Sequence, residues 1–145
     1  MTAADLAAAC GALLGRIDGP VVVAATHAPR VATALRRRWE GAGDSPVAAV
    51  VVFLGETGDP RARARILTGL RDRLPPGAAL VVADHNQPRT LPRRVIGSLL
   101  LAVRGRTPAR ARYPVAREVA ALGFVVESLR LEAGERIQLV RAVRS

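Results

Sequence analysis

Val47-Ala-Ala-Val-Val-Val-Phe-Leu54, then Asp59-Pro60, then Ile66, Leu67, Leu70 and Leu74, then Pro75-Pro-Gly77 and Ala79-Leu-Val-Val-Ala83 read as strand, helix and strand. An all-apolar run bounded by turn residues predicts a strand buried on both faces of a sheet. Asp59 supplies a helix cap and Pro60 a first-turn proline, and the apolar spacing that follows gives one helical face. The same unit stands upstream. Gly19-Pro20 precedes the apolar run Val21-Val-Val-Ala-Ala25, and Pro29 opens a helix in which Val31, Leu35 and Trp39 recur every four residues. Arg36, Arg37 and Arg38 turn elsewhere, and Gly41-Ala-Gly43 ends this helix. Before it, Thr2 with Asp5 reads as a cap for a helix over 3–16 that presents Leu6, Cys10, Leu13 and Leu14. Strands alternating with helices predict right-handed crossovers and parallel strands.

The chain changes character after Asp84. Eight arginines, from Arg89 to Arg117, come before the next acid, Glu118. Within this segment Val95 to Val103 predicts an amphipathic helix packed on the core with solvated ends, and the other reading is recognition of an anionic or lipid-like molecule. Pro114 to Leu122 predicts a further helix closed by Gly123. The alternating runs Phe124 to Leu131 and Arg136 to Val143, joined by Glu132-Ala-Gly-Glu135, predict an antiparallel hairpin.

With 145 residues the chain suits one domain, 1–145, and such a domain buries roughly 70% of its unfolded surface. Only Trp39, Phe53, Tyr113 and Phe124 are aromatic, so the core is made of Val, Leu, Ile and Ala. All 22 basic residues are arginine, and the net charge is +10. That charge suits an anionic partner or a solvated basic surface. A lone Cys10 excludes a disulfide within the chain. Asp5 and the lack of a basic start argue against a secretory signal. The run Val95 to Val103 is far short of the ~20 residues that span a bilayer. A cytoplasmic protein without a transmembrane segment is expected.

From Val47 to Arg144 the order of elements resembles the C-terminal half of class I S-adenosylmethionine-dependent methyltransferases. The residues that carry the resemblance are Val50-Val-Val-Phe-Leu54, Arg65-Ile-Leu-Thr-Gly-Leu-Arg-Asp-Arg-Leu74, Pro75-Pro-Gly-Ala-Ala-Leu-Val-Val-Ala-Asp84 and Ala121-Leu-Gly-Phe-Val-Val-Glu127. The resemblance implies a three-layer, Rossmann-like α/β sheet, mostly parallel, with a C-terminal antiparallel hairpin. It also implies S-adenosylmethionine as cofactor. The family holds it at a glycine-rich turn after the first strand, with a later acid on the ribose hydroxyls. Here Val21 to Ala25 is followed by Thr26-His27-Ala28-Pro29, with neither glycine nor acid. The segment matches either a degenerate first strand or the family's second strand, with Thr26 at the acid's place. Thr26 and Gly55 are the residues left to touch a cofactor.

Ligands of open α/β sheets bind at the carboxyl ends of the strands. The residues after each apolar run are Thr26 and His27, then Glu56, Thr57 and Asp59, then Asp84, His85 and Asn86. An imidazole titrates near ~6.5, so His27 and His85 beside Glu56 and Asp84 form a candidate acid/base set. The competing reading gives Asp59 and Asp84 capping and loop roles and leaves the histidines in solvent. Lying in loops beyond the strands, these residues are expected to add little core packing. Asn86, Arg89, Arg93 and Tyr113 are candidate substrate contacts, because the resembling family closes this region over its acceptor. No short histidine spacing supports a metal site, and none is expected.

The leading function is a methyltransferase-like protein of small-molecule or secondary metabolism whose S-adenosylmethionine site is lost or rebuilt. Its chemistry would be methyl-transfer-related, or acid/base without methyl transfer. The alternatives are a non-catalytic partner or scaffold of another enzyme and, third, an arginine-rich nucleic-acid binder. Scarce aromatic stacking platforms weigh against the third. Loss of strand–helix units would leave Val21 to Ala25 near a sheet edge, so a homodimer or a complex with another protein is expected alongside a small-molecule ligand.

Overall fold

The computed structural model describes residues 1–25, 27–39, 45–88, 92, 95, 96, 99, 102, 103 and 114–145. The elements run α1 (Ala3–Leu14), β1 (Val21–Ala24), α2 (Pro29–Arg38), β2 (Ala48–Val52), a single 3-10 turn (Leu54–Glu56), α3 (Pro60–Arg73) and β3 (Ala79–His85). After the basic segment come α4 (Val115–Ala121), β4 (Phe124–Glu132) and β5 (Ile137–Arg144). The five strands form one mixed sheet in the order β1-β2-β3-β5-β4. β1 pairs with β2 and β2 with β3 in parallel, whereas β5 lies antiparallel to both β3 and β4.

Alternation along the strands divides the core in two. On one face Val50, Val52, Val81, Ala83 and Leu139 pack under α1 and α2, which contribute Leu6, Cys10, Leu14, Val31 and Leu35. On the other, Ala49, Val51, Leu80, Val82 and Val140 pack under α3 and α4, through Leu67, Leu70, Val115 and Val119. Successive strand residues point to opposite faces, so both faces of these two covered strands must be apolar, and from Ala48 to Val52 and from Ala79 to Ala83 they are. Cys10 behaves as a small core hydrophobe, its thiol pushed up to about 12 by burial.

The helix starts follow local chemistry. Thr2 and Asp5 form a reciprocal capping box at α1, and the Asp59 side chain accepts from Arg61 N ahead of Pro60 at α3. Gly77, at φ +80, closes the turn that feeds β3. The proposed stop at Gly41–Gly43 lies outside the described residues.

Two boundaries differ from the sequence reading. β2 ends at Val52 rather than continuing to Leu54, because Phe53 adopts the left-handed conformation, φ 55 and ψ 45, and diverts the chain into the 3-10 turn. β3 runs on through Asp84 and His85, which pair with Gln138 and Ile137 of β5. These two residues therefore belong to the strand and are not loop residues. The partner that extends the strand lies far along the chain, so no local pattern announces it.

In the segment from Val95 to Val103 the described residues are helical, and Val95, Ile96, Leu99 and Val103 are 66%, 56%, 63% and 79% exposed; the rest of the expected helix lies outside the described residues.

Candidate functional site

β2 and β3 run side by side and deliver their carboxyl ends to the same edge. The left-handed Phe53 makes the site. Its N–H donates to Ala83 O at 2.7 Å, anchoring the end of β2 to β3, and the chain then folds back so that Gly55 and Glu56 face Asp84 and His85. A phenylalanine at positive φ is uncommon and costs on the order of 1 kcal/mol or more, the kind of strain that persists where surrounding contacts hold it.

Asp84 is fully buried. One carboxylate oxygen accepts from Gly55 N at 2.6 Å and the other from His85 N at 2.7 Å. Desolvation nevertheless dominates and pushes its pKa up to about 7, against the two amide bonds and Arg63, with Glu56 adding to the rise. The carboxyl thus exchanges its proton near neutral pH.

His85 lies on the other side of β3. Its ring stacks on Phe53 with centroids 4.4 Å apart and planes 4° from parallel. Its Nε2 shares a hydrogen bond of 3.0 Å with Glu56 Oε1. Both members are buried, at 6% and 7% exposure. Gln138 Nε2 donates to His85 O at 2.9 Å, which fixes the backbone beneath the ring.

His27 takes a separate position. It is exposed, and its Nε2 lies 3.2 Å from Thr57 Oγ1. That contact bridges the turn after β1 to the one after β2, so His27 stands at the rim while His85 is buried within. Asn86 bonds instead to the loop between β4 and β5, its Nδ2 donating to Glu135 O at 2.7 Å. Asp59 is exposed and caps α3, as the capping alternative has it.

The structure therefore brings Glu56, Asp84 and His85 together, with His27 and Thr57 adjacent. Thr26, Arg89, Arg93 and Tyr113 lie outside the described residues. Gly55 is present, but its N–H already serves Asp84 rather than facing outward for a cofactor.

Three contributors were not singled out from sequence: Phe53, Arg63 and Gln138. Arg63 Nη1 donates to Thr57 O at 2.9 Å and its Nη2 to Glu118 Oε1 at 2.9 Å, tying the turn after β2 to α4. A signal existed, because Arg63 falls on the same helical stripe as Ile66, Leu67 and Leu70. Gln138 likewise interrupts the apolar run from Ile137 to Val140. Phe53 offered no such signal.

The turn after β1 bears on S-adenosylmethionine. Where a glycine cradle would let a ligand approach the backbone, this chain has Ala24, Ala25 and Ala28, and the last two are buried. Ala28 N donates to Ala25 O at 3.2 Å, closing the turn on itself. The described residues of this turn do not fit a glycine-loop donor site. Among the described residues no group of three His, Cys, Asp or Glu is placed to hold a metal ion, and no helix is long and apolar enough to cross a membrane.

No protein-family model matches the chain, and no curated protein matches it in sequence. Solved structures do share its fold. The pyocyanin biosynthetic protein PhzM matches with a TM-score of 0.65 at 14% identity, over 91% of this chain and 52% of its own. The mitomycin 7-O-methyltransferase MmcR matches with a TM-score of 0.61 at 15% identity, over 99% of this chain and 53% of its own. The N-methyltransferase NodS of Bradyrhizobium japonicum, in complex with S-adenosyl-L-homocysteine, gives 0.56 at 10% identity, over 97% and 85%. The chain has a methyltransferase fold and spans about half the length of the first two.

Proposed function

We propose that this methyltransferase-fold chain is a protein of small-molecule metabolism, secondary metabolism included, whose ligand site is the polar edge of β2 and β3 and whose S-adenosylmethionine site is lost or rebuilt. The observation that carries this reading is the buried cluster of Glu56, Asp84 and His85, hydrogen-bonded across the ends of two parallel strands. A buried imidazole–carboxylate pair beside a carboxyl that titrates near neutral pH is equipped to take up and return a proton. In this reading Asp84 holds the proton, the hydrogen-bonded His85 and Glu56 pair lies beside it, and His27 with Thr57 meets a ligand at the rim. The alanine turn after β1 supports the loss of the ordinary donor cradle.

Calorimetry tests this directly. Titration with S-adenosylmethionine and with S-adenosylhomocysteine is expected to give no saturable heat at micromolar concentrations. One-to-one binding at a micromolar Kd would overturn the lost-site reading and restore ordinary methyl transfer.

A second reading, a partner or scaffold subunit, is favoured by β1. This strand ends the sheet among the described residues, and all four of its residues are only half-buried. Unpaired backbone groups along an edge strand are a template for a further strand. A homodimer or a complex with another protein through this edge is expected, and a monomer in sedimentation at micromolar concentration would contradict it.

A further inference from the structure

The first turns of α3 bring a cation to the site that the acid/base reading does not use. Asp84 follows Val82 by two residues on β3, so it points to the sheet face that α3 and α4 cover. On α3, Arg63 precedes Leu67 and Leu70 on one stripe, and both leucines pack on that same face. Arg63 is thus the polar end of a buried stripe, with only 12% of its side chain exposed. Its Nη1 donates to Thr57 O at 2.9 Å and to Gly58 O at 3.5 Å. Its other edge meets Glu118 of α4 as a fork, Nη2 to Oε1 at 2.9 Å and Nε to Oε2 at 3.4 Å. Stapling α4 to a loop does not require this, because apolar side chains fill such a place without the cost of desolvating a charge.

We propose that Arg63 is a positioning residue of the β2–β3 edge: it holds the turn Leu54–Glu56 over the end of β3 and brings positive charge to the face on which Asp84 lies. This role rests on the proton-exchanging reading of that edge and adds the group that regulates it. Thr57 is the pivot. Its O accepts from Arg63, its N–H donates to Leu54 O at 2.9 Å, and its Oγ1 meets His27. The turn it closes supplies Gly55 N to Asp84 and Glu56 to His85. The charged or titratable groups around Asp84 include Glu56 on the turn, His85 next along β3, Arg63 on α3 with Glu118 of α4 behind it, and His27 at the rim; Gln138 is its neighbour on β5. Glu56 and Arg63 act on the Asp84 proton in opposite directions, the carboxylate keeping it on and the guanidinium drawing it off.

Carbon-13 titration of the Asp84 carboxyl in Arg63 variants tests this role. Arg63→Met, which keeps the length and removes the charge, is expected to raise the midpoint by about half a pH unit or more. Arg63→Lys keeps the charge and is expected to stay within about 0.2 units of the parent. Both variants lose the fork, so the amides of Gly55 and Thr57 are expected to exchange about tenfold faster, measured against Val81 and Val82 as reporters of global opening. If Arg63→Met misfolds through the loss of its bond to Glu118, Arg63→Met/Glu118→Gln stands in, with the same direction expected. A purely structural role predicts that lysine and methionine move the midpoint alike. That result, an unmoved midpoint in folded Arg63→Met, or unchanged exchange at Gly55 and Thr57 would overturn the assignment. A parent midpoint in the ordinary carboxylate range would instead overturn the proposed site, and the difference between Arg63→Met and the parent would still decide what Arg63 does.

Discussion

His85→Ala is expected to lower the stability of the fold by about 3 kcal/mol, read as a shift of the urea midpoint with an unchanged slope. The ring is buried, stacked on Phe53 at 4.4 Å and bonded to Glu56 at 3.0 Å. Alanine removes the stack, leaves a cavity at the end of β3 and takes the imidazole away from a buried carboxylate. Both losses act in the same direction. His85→Gln, which keeps an amide within reach of Glu56, is expected to cost roughly half as much. A change below about 0.5 kcal/mol for His85→Ala would mean that the ring stands in solvent and that the buried cluster does not form.

Asp84 governs the second effect, which shows as a dependence of stability on pH. Its carboxyl titrates at about 7 in the fold, against an ordinary value of 3.8. The folded state thus holds the proton more tightly than the unfolded chain does. This contribution is fully present below about pH 4, is lost as pH rises toward about 7, and changes little beyond. A displacement of about three pKa units corresponds to at most on the order of 4 kcal/mol. Asp84→Asn, which carries no titrating proton, is expected to flatten that slope, so the gap between parent and variant should change steadily from pH 4 to 7. If the two curves stay parallel, Asp84 does not hold a buried proton.

Much of the fold was legible because its strands are short apolar runs fenced by Gly-Pro, Asp-Pro and Pro-Pro-Gly, and parallel strands covered on both faces must read that way. The three layers follow from the same alternation. The carboxyl-edge rule also singled out Glu56, Asp84 and His85, since polar residues after an apolar run stand out in sequence. Their burial was not legible. Asp84 and His85 break the apolar run and so read as loop, yet Gln138 and Ile137 hold them in the sheet from more than fifty residues away. Phe53 shows the opposite limit. A good strand former by type, it leaves the strand because its turn is set by contacts to Ala83 and His85 rather than by its own preference.

The proposed site stands on a proton held by Asp84 at the shared edge of β2 and β3. Carbon-13 NMR titration of the aspartate side-chain carboxyls, with Asp84→Asn to assign the resonance, reads that proton. A buried Asp84 should titrate at about 7, as its desolvation requires. A resonance that titrates near 4 with the exposed carboxylates would contradict the account.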